Sequence, residues 1–438
     1  MGKIKLHWQI LGAILLAVVA GILLTPESGL FGVTFYNVFD FIGTLFLNAL
    51  KMIIVPLILS SIICGVASMG SGEQLGRLGG KTLAFYLLSS FLAIMVGLFF
   101  VNLFAPGVIE GQPAGDRLNL SSSEELSAQL SQVEGRGAGD IAGVFLRMVP
   151  PNIVKAAAEG QMLGIIFFGL LFGFYMMRID GPHKRVMVDF WQAIFDTMMS
   201  ITLFVMRFAP LGVFGLVAKT VIMTGFAAFQ PLLIFFLTVF LALAFHVFVT
   251  LALVLRFLGR VSPLRHYRAM FPALLTAFST ASSSGTLPVT MECMEKRAGV
   301  SNKTTSFVLP LGATVNMDGT ALYECVAAMF IAQAYGLELT FVTQFTIVLV
   351  ALLTSVGVAG IPAASLVAIT VILGAIGLPL EGIGMLLVTD RVLDMLRTSV
   401  NVFSDSCCAV VIASSEGEQV LQRDPDELQR EFASHITR

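Results

Sequence analysis

Five polar side chains near the end of this 438-residue sequence, Asp390, Asp394, Arg397, Asn401 and Asp405, are spaced four, three, four and four residues apart. At about 3.6 residues per turn, that spacing puts all of them on one face of a helix. The segment that carries them, Glu381 to Glu416, otherwise reads as a membrane span, with Leu, Val, Met and Phe on the opposite face. An ionised group near a bilayer centre costs ~2.5–3.5 kcal/mol even on lenient insertion scales, so several facing lipid would sum to roughly 10 kcal/mol or more. The stripe must therefore face a protein interior, and charges placed so mark a site for substrate and ions.

A second polar interruption falls in the apolar stretch Lys303 to Gln333, at Thr314-Val315-Asn316-Met317-Asp318-Gly319-Thr320. Asn, Asp and Gly are poor mid-helix residues, and Gly319 beside Asp318 predicts an unwound turn that frees backbone carbonyls. Those carbonyls, the carboxylates of Asp318 and Asp405 and the amides of Asn316 and Asn401 make an all-oxygen set. Hard cations take such ligands, whereas zinc or copper would call for His or Cys. The five cysteines, Cys64, Cys293, Cys325, Cys407 and Cys408, lack metal-ligand spacing and read as small core residues. A lone His246 in an apolar span reads as a hydrogen-bonded core residue.

The elements that must hold these groups are membrane helices. The chain is 56% hydrophobic and 12% charged, against the ~25% charge of an average soluble domain. Apolar regions run from Leu11 to Thr25, Phe39 to Met69 (with a kink expected at Pro56), Gly80 to Pro106, Asp140 to Met177 (broken at Pro150-Pro151), Val186 to Ile222 and Phe229 to Leu258. Gly107 to Gly139 is a polar loop, and Glu416 to Arg438 a charged tail expected to be solvated. Met1 to Lys5 is basic, but the apolar run after it is long enough to span, so a span and not a cleaved leader is expected. Nothing in the composition suggests nucleic acid as a partner.

Five basic clusters, at Lys3 and Lys5, Arg77 and Lys81, Arg178 to Arg185, Arg256 to Arg268 and Lys296 to Lys303, place the N-terminus and these connections on the cytoplasmic side. Ala269 to Glu295 then has both ends on one side. It must enter and return, as a re-entrant hairpin with Ser282-Ser283-Ser284-Gly285-Thr286 at its tip. Phe341 to Pro379, with Gly357, Gly360 and Pro362 at its middle, makes a second hairpin from the opposite face. Two hairpins entering from opposite faces, each followed by a full span, form an inverted repeat with a site near the midplane.

The serine run Ser282 to Gly285, Asn316-Met317-Asp318-Gly319-Thr320, the Gly360-Ile361-Pro362 tip and Asp394-Met395-Leu396-Arg397-Thr398 with Asn401 and Asp405 together resemble the dicarboxylate/amino acid:cation symporters, the glutamate transporter family. The likeness covers nearly the whole chain, Lys51-Met52 included. It implies an all-α membrane protein of eight transmembrane helices plus two re-entrant hairpins, working by an elevator motion in a homotrimer, with both termini cytoplasmic in a bacterial inner membrane. The scaffold would be residues 1–78 and 140–222, the transport domain 79–106 and 223–416, with 107–139 an extracellular loop and 417–438 a cytoplasmic tail.

By the same resemblance, Arg397 takes the side-chain carboxylate of the substrate, a role its bidentate fork also suits on geometric grounds. Asp394 takes the α-amino group, and Ser283, Ser284, Thr320, Thr398, Asn401 and the tip Gly360, Ile361, Pro362, Ala363 and Ala364 complete the cradle. Asp394 favours an amino acid over a C4-dicarboxylate, and Arg397 favours aspartate or glutamate over a neutral one. Sodium ions are implied at Gly312, Asn316, Asn401 and Asp405, at Thr314, Ser355, Val356 and Val358, and at Tyr86, Ser89 and Ser90 with Asn316 and Asp318. Two positions depart from the family pattern, Ala281 and Met395, where an arginine is usual at one or the other; Arg391, one turn before Asp394, stands near enough to substitute. Glu324, an acid where some sodium-coupled relatives have an amide, is the candidate proton carrier, because burial favours the neutral form of a carboxyl. No catalytic residue is expected: the hairpin serines have no His or Lys base in their own segment. Proton-coupled or C4-dicarboxylate symport and, as a different class, an ion channel are the alternatives.

Overall fold

The computed structural model describes residues 6–30, 32–68, 73–115, 118, 146, 149–158, 162–224, 229–337, 339–355, 364–376, 378, 383–422 and 424–425. It is built almost wholly of helices. Two of them, α1 (Leu6–Leu23) and α2 (Phe35–Ser68), are joined by a two-stranded turn in which Gly29 pairs with Thr34. Helix α2 runs on through Pro56, and α3 (Glu73–Phe104) follows it. The described part of the polar loop, residues 107–115, forms a small hairpin of Val108–Ile109 with Gln112–Pro113. Within the region expected from Asp140 to Met177, the structure describes the helices α4 (Ile153–Ala158) and α5 (Met162–Met176). The expected span from Val186 to Ile222 is two helices, α6 (Pro182–Met206) and α7 (Ala209–Thr224). Pro210 explains that division, since its ring and missing N–H conflict with a helix arriving from Met206.

Helices α1, α2, α5, α6 and α7 form one group. Helix α7 packs on α1 and α2, and α2 also packs on α5 and α6. Small residues let the backbones approach: a Cβ added at Gly212 would collide with the ring of Phe46, and one at Gly43 would lie 2.7 Å from Leu216. That is the packing expected where lipid removes the hydrophobic drive for helices to associate.

The second group begins with α8 (Phe229–Phe257), whose middle widens into a π-helical turn over His246–Leu251. Such a turn leaves backbone carbonyls short of partners, and the Tyr267 hydroxyl donates to the carbonyl of Val247 at 2.6 Å. Helices α9 (Pro263–Thr280) and α10 (Ser283–Lys296) pack on each other as a hairpin. Its tip turns at Ala281, in the left-handed region at φ 49°, and Ser282 caps α10 by accepting from the Gly285 N–H at 3.1 Å. Its base is closed by Arg297, whose Nε donates to the Ala269 carbonyl at 3.1 Å. The hairpin expected over Ala269 to Glu295 is thus present as two antiparallel helices with the serine run at the turn.

The chain continues as α11 (Asn302–Val315) and α12 (Asp318–Ala334). Between them Asn316 and Met317 adopt non-helical angles. The break expected at Asp318-Gly319 therefore lies two residues earlier, and Asp318 and Gly319 open the following helix. Helices α13 (Phe341–Ser355) and α14 (Ala364–Ile376) pack together as the arms of a second hairpin, and the expected tip from Val356 to Ala363 lies outside the described residues. The last helix, α15 (Ile383–Ser415), packs on α3, α8, α9, α10, α11 and α12, and it meets the first group at α7. Among the described residues, three helical stretches are both long and apolar enough to cross a membrane, Leu78–Phe104, Phe229–Phe257 and Val388–Ser415.

Candidate functional site

The stripe on α15 is buried as a unit. Asp390, Asp394, Arg397, Asn401 and Asp405 are all under a tenth exposed, and Arg397 keeps only 1% of its surface. A buried guanidinium needs partners on all sides. Arg397 Nη2 donates to Asp394 Oδ1 at 3.0 Å, Nη1 stands 3.1 Å from Asp390 Oδ1, and Cζ lies 3.9 Å from the centroid of the Tyr323 ring. The cation is held between two carboxylates over an aromatic face. Asp394 is shared, for Arg391 Nη1 reaches its other oxygen at 3.2 Å. Arg391 thus contacts the acid it was expected to stand near. The Thr398 hydroxyl donates to the Asp394 carbonyl at 2.8 Å.

Helix α12 comes into contact with this stripe because Gly319 has no side chain. A Cβ there would lie 2.6 Å from the Arg397 carbonyl oxygen. The neighbouring Met317 offers no side-chain cap for α12; Asn401, from the other helix, supplies one. Its Oδ1 accepts from the N–H groups of Gly319 at 2.8 Å and Thr320 at 3.3 Å, and its Nδ2 donates to Thr320 Oγ1 at 3.1 Å. All seventeen residues of α12 are buried.

Asp318, fully buried, receives donors on both oxygens. Ser90 donates to Oδ1 at 2.7 Å and Ser89 at 3.2 Å; Ser404 donates to Oδ2 at 2.5 Å, and His246 Nε2 lies 3.3 Å from the same oxygen. Two residues before Asp318, in the break between the helices, Asn316 Nδ2 bridges Ser404 Oγ at 3.1 Å and Asp405 Oδ1 at 2.9 Å. Gly312 lies against Asp405 and the Tyr86 hydroxyl, which donates to the Val308 carbonyl at 2.8 Å. Helices α3, α11, α12 and α15 thus converge on a lattice of oxygen atoms, the donor set that suits a hard, oxygen-liking cation such as sodium.

Tyr86, Ser89, Ser90, Gly312, Asn316, Asp318, Thr320, Asp394, Arg397, Thr398, Asn401 and Asp405 therefore fall in one continuous polar interior. Ser283 is buried and Ser284 exposed at the turn of the first hairpin, whose two helices pack on α15. For Thr314, Ser355 and Ala364 the structure describes the helical backbone, and Val356, Val358, Gly360, Ile361, Pro362 and Ala363 lie outside the described residues. Glu324 is buried beside the second hairpin, with Thr354 Oγ1 of α13 at 3.0 Å from its Oε2. Three participants had no role from the sequence: Tyr323 beneath the guanidinium, Ser404 between Asp318 and Asn316, and His246, expected only to be hydrogen-bonded, whose partner is Asp318. Ser404 precedes Asp405 and so could have been suspected; the other two contacts arise from the packing of separate helices.

Helices of membrane-spanning length around a charged, oxygen-lined interior define a secondary membrane carrier. The chain belongs to the sodium:dicarboxylate symporter family, whose profile matches residues 6–415. It is 38% identical over 416 residues to the proton/glutamate-aspartate symporter of Escherichia coli (strain K12), covering 94% of this chain and 93% of that one. Similarity at 35% identity extends over 420 residues of the proton/sodium-glutamate symport protein of Geobacillus stearothermophilus, 95% of this chain and 96% of the relative. The C4-dicarboxylate transport protein of Bacillus subtilis (strain 168) is 33% identical over 412 residues, 94% of this chain and 93% of its own. The family is one of carriers and not of enzymes.

Proposed function

We propose that this protein is a symporter that takes up aspartate or glutamate with sodium ions, and with a proton on Glu324. The observation that carries the reading is the buried Arg397 with Asp394 3.0 Å away, a cation and an anion placed for the two ends of a zwitterionic diacid. A substrate carboxylate entering there would exchange for Asp390 and Asp394 on the guanidinium, while Asp394, released from Arg397, would be free to take the ammonium group. Sodium ions among Asp318, Asn316 and Asp405 would offset the negative charge of the interior, so each ligand lowers the electrostatic cost of the next. Relatives named for glutamate and aspartate support the substrate class. A relative named for C4-dicarboxylates leaves that substrate as the second reading, which the acid at Asp394 disfavours.

Proton coupling has a geometric support. The single hydrogen of the Thr354 hydroxyl faces the carbonyls of Val350 at 2.9 Å and Ala351 at 3.0 Å as well as Glu324 Oε2. When that hydrogen goes to a carbonyl, a protonated Glu324 can donate in return. The grouping of helices supports the rest of the architecture: α1, α2, α5, α6 and α7 would form the scaffold of a homotrimer, and α3 with α8 to α15 the moving body of an elevator. Eight spans, two re-entrant hairpins and cytoplasmic termini in a bacterial inner membrane belong to this reading.

Radiolabelled uptake into proteoliposomes, with sodium, pH and voltage varied independently, tests it. Aspartate or glutamate uptake driven by an inward sodium gradient is the expected result. Uptake of succinate but not aspartate would overturn the substrate assignment. Counterflow accelerated by internal substrate separates a carrier from a channel.

A further inference from the structure

The tail expected to be solvated is docked from Glu416 to Gln422. Helix α15 ends in a turn at Gly417, φ 88°, where the Glu418 N–H bonds back to the Ala413 carbonyl at 3.0 Å. The turn sends the chain across the ends of its neighbours. The Glu418 carboxylate accepts from the Ser301 N–H at 2.8 Å, the Ser301 hydroxyl at 2.7 Å and the Thr304 hydroxyl at 2.6 Å, at the first turn of α11. Val420 and Leu421 are 2% and 3% exposed. The Leu421 N–H donates to the Ala298 carbonyl at 2.9 Å, and Arg265 Nη1, from α9, donates to the carbonyls of Leu421 and Gln422 at 3.0 and 3.1 Å. Lys81, from α3, reaches Glu416 at 2.6 Å and Ser415 at 3.1 Å. Leu421 holds φ 55°, a left-handed conformation unfavourable for a bulky side chain and kept only where the surroundings over-determine it.

We infer that residues 416–422 are a strap that welds the near ends of α3, the first hairpin, α11 and α15 into one body. The bonds run to elements far apart in sequence, and each end of the strap is fixed by a different kind of contact: an ion pair at Glu416, a helix cap at Glu418, buried apolar side chains at Val420 and Leu421, and backbone bonds to Arg265 beyond them. A loose tail would need none of these. The strap holds the base of the first hairpin, at the end away from its serine tip, against the last helix. That these elements also travel together rests on the elevator reading; the weld itself does not.

Hydrogen exchange on the full chain in nanodiscs tests the weld without transport. Glu418→Ala combined with Arg265→Ala should speed exchange about tenfold in residues 263–268 and 298–304 and leave 209–224 unchanged. No change at those amides, or an equal rise throughout, would overturn the strap. The travelling part is tested by Ala298→Cys with Leu421→Cys, joined by oxidation or a short dithiol-reactive linker. The joined protein should keep uptake within about twofold of its reduced form, as a contact that never opens in the cycle allows. Loss of uptake on joining, with recovery on reduction, would show that the strap must open and would overturn its role as a permanent weld.

Discussion

Helices α1 and α12 are of similar length and differ in almost everything that holds them. Along α1, Leu15, Leu16, Val19, Ile22 and Leu23 are more than half exposed, and the helix meets α7 through small residues such as Gly21, close against Val221. No residue of α12 is exposed, and its first turn is fixed by Asn401, Thr320 and the donors around Asp318. The outer group is thus solved for lipid, where apolar exposure costs nothing and close backbones supply the contact energy. The inner group is solved for polar atoms removed from both water and lipid, where every donor needs an acceptor. In this protein a few buried polar residues specify the site inside an apolar core, while the outer group turns much of its own apolar surface outward.

The sharpest way to break that contrast is to remove a charge from the inner group. Arg397→Ala leaves Asp390 and Asp394 buried together; truncating one partner of such a set costs ~3–5 kcal/mol, and a loss of that size in binding would lower acidic-substrate affinity about 100- to 4000-fold. Aspartate uptake and isothermal titration should both register the loss, with sodium binding retained in part; normal aspartate uptake would remove Arg397 from the substrate site. Gly319→Ala probes fit without charge. Its methyl would press on the Arg397 carbonyl, and overpacking of this kind costs ~1–3 kcal/mol, to be read as a lower melting temperature in detergent. Glu324→Gln keeps shape and removes the proton-carrying group, so the pH dependence of uptake should flatten while substrate binding survives. An unchanged pH profile would count against the proton role.

Smaller effects belong to the surface and to the outer group. Burial alone would raise the Glu418 carboxyl, but the hydrogen bonds from Thr304 and Ser301, with Lys303 nearby, hold it below its ordinary 4.5. A group depressed in the folded state stabilises above its unfolded value and loses that contribution as pH falls through the folded one. Thermal melts from pH 7 down to acid should therefore decline more in the natural chain than in Glu418→Gln. Least of all, Lys219→Met breaks a half-exposed pair with Asp40 at 2.6 Å, and the expected cost is under ~1 kcal/mol. A large loss there would mean that the outer group also depends on charge.

Much of this was legible in the residues. The spacing of the α15 stripe required burial, because lipid leaves such a face no other outcome, and the basic clusters flanking Ala269 to Glu295 called for a chain that doubles back, as α9 and α10 do. The interruption of the α11–α12 segment within Thr314 to Thr320 was legible as well. Gly319 looks in the sequence like a helix breaker, when its role is to bring α12 against the Arg397 carbonyl. Composition marks Gly as permissive in both cases, and only the neighbour tells close approach from unwinding. The docked tail was illegible for a related reason. Glu418 and Arg265 look like solvated charges until the fold supplies a helix start and two carbonyls for them.

Asn401 has a single amide oxygen, and two N–H groups at the start of α12 already lean on it. A cation that drew on the same oxygen would do so at the expense of the backbone, loosening the helix that carries Asp318 and Thr320. Loading and release at this spot would then be felt as slackening and tightening of a main-chain knot, giving the ions a mechanical grip on the rest of the molecule.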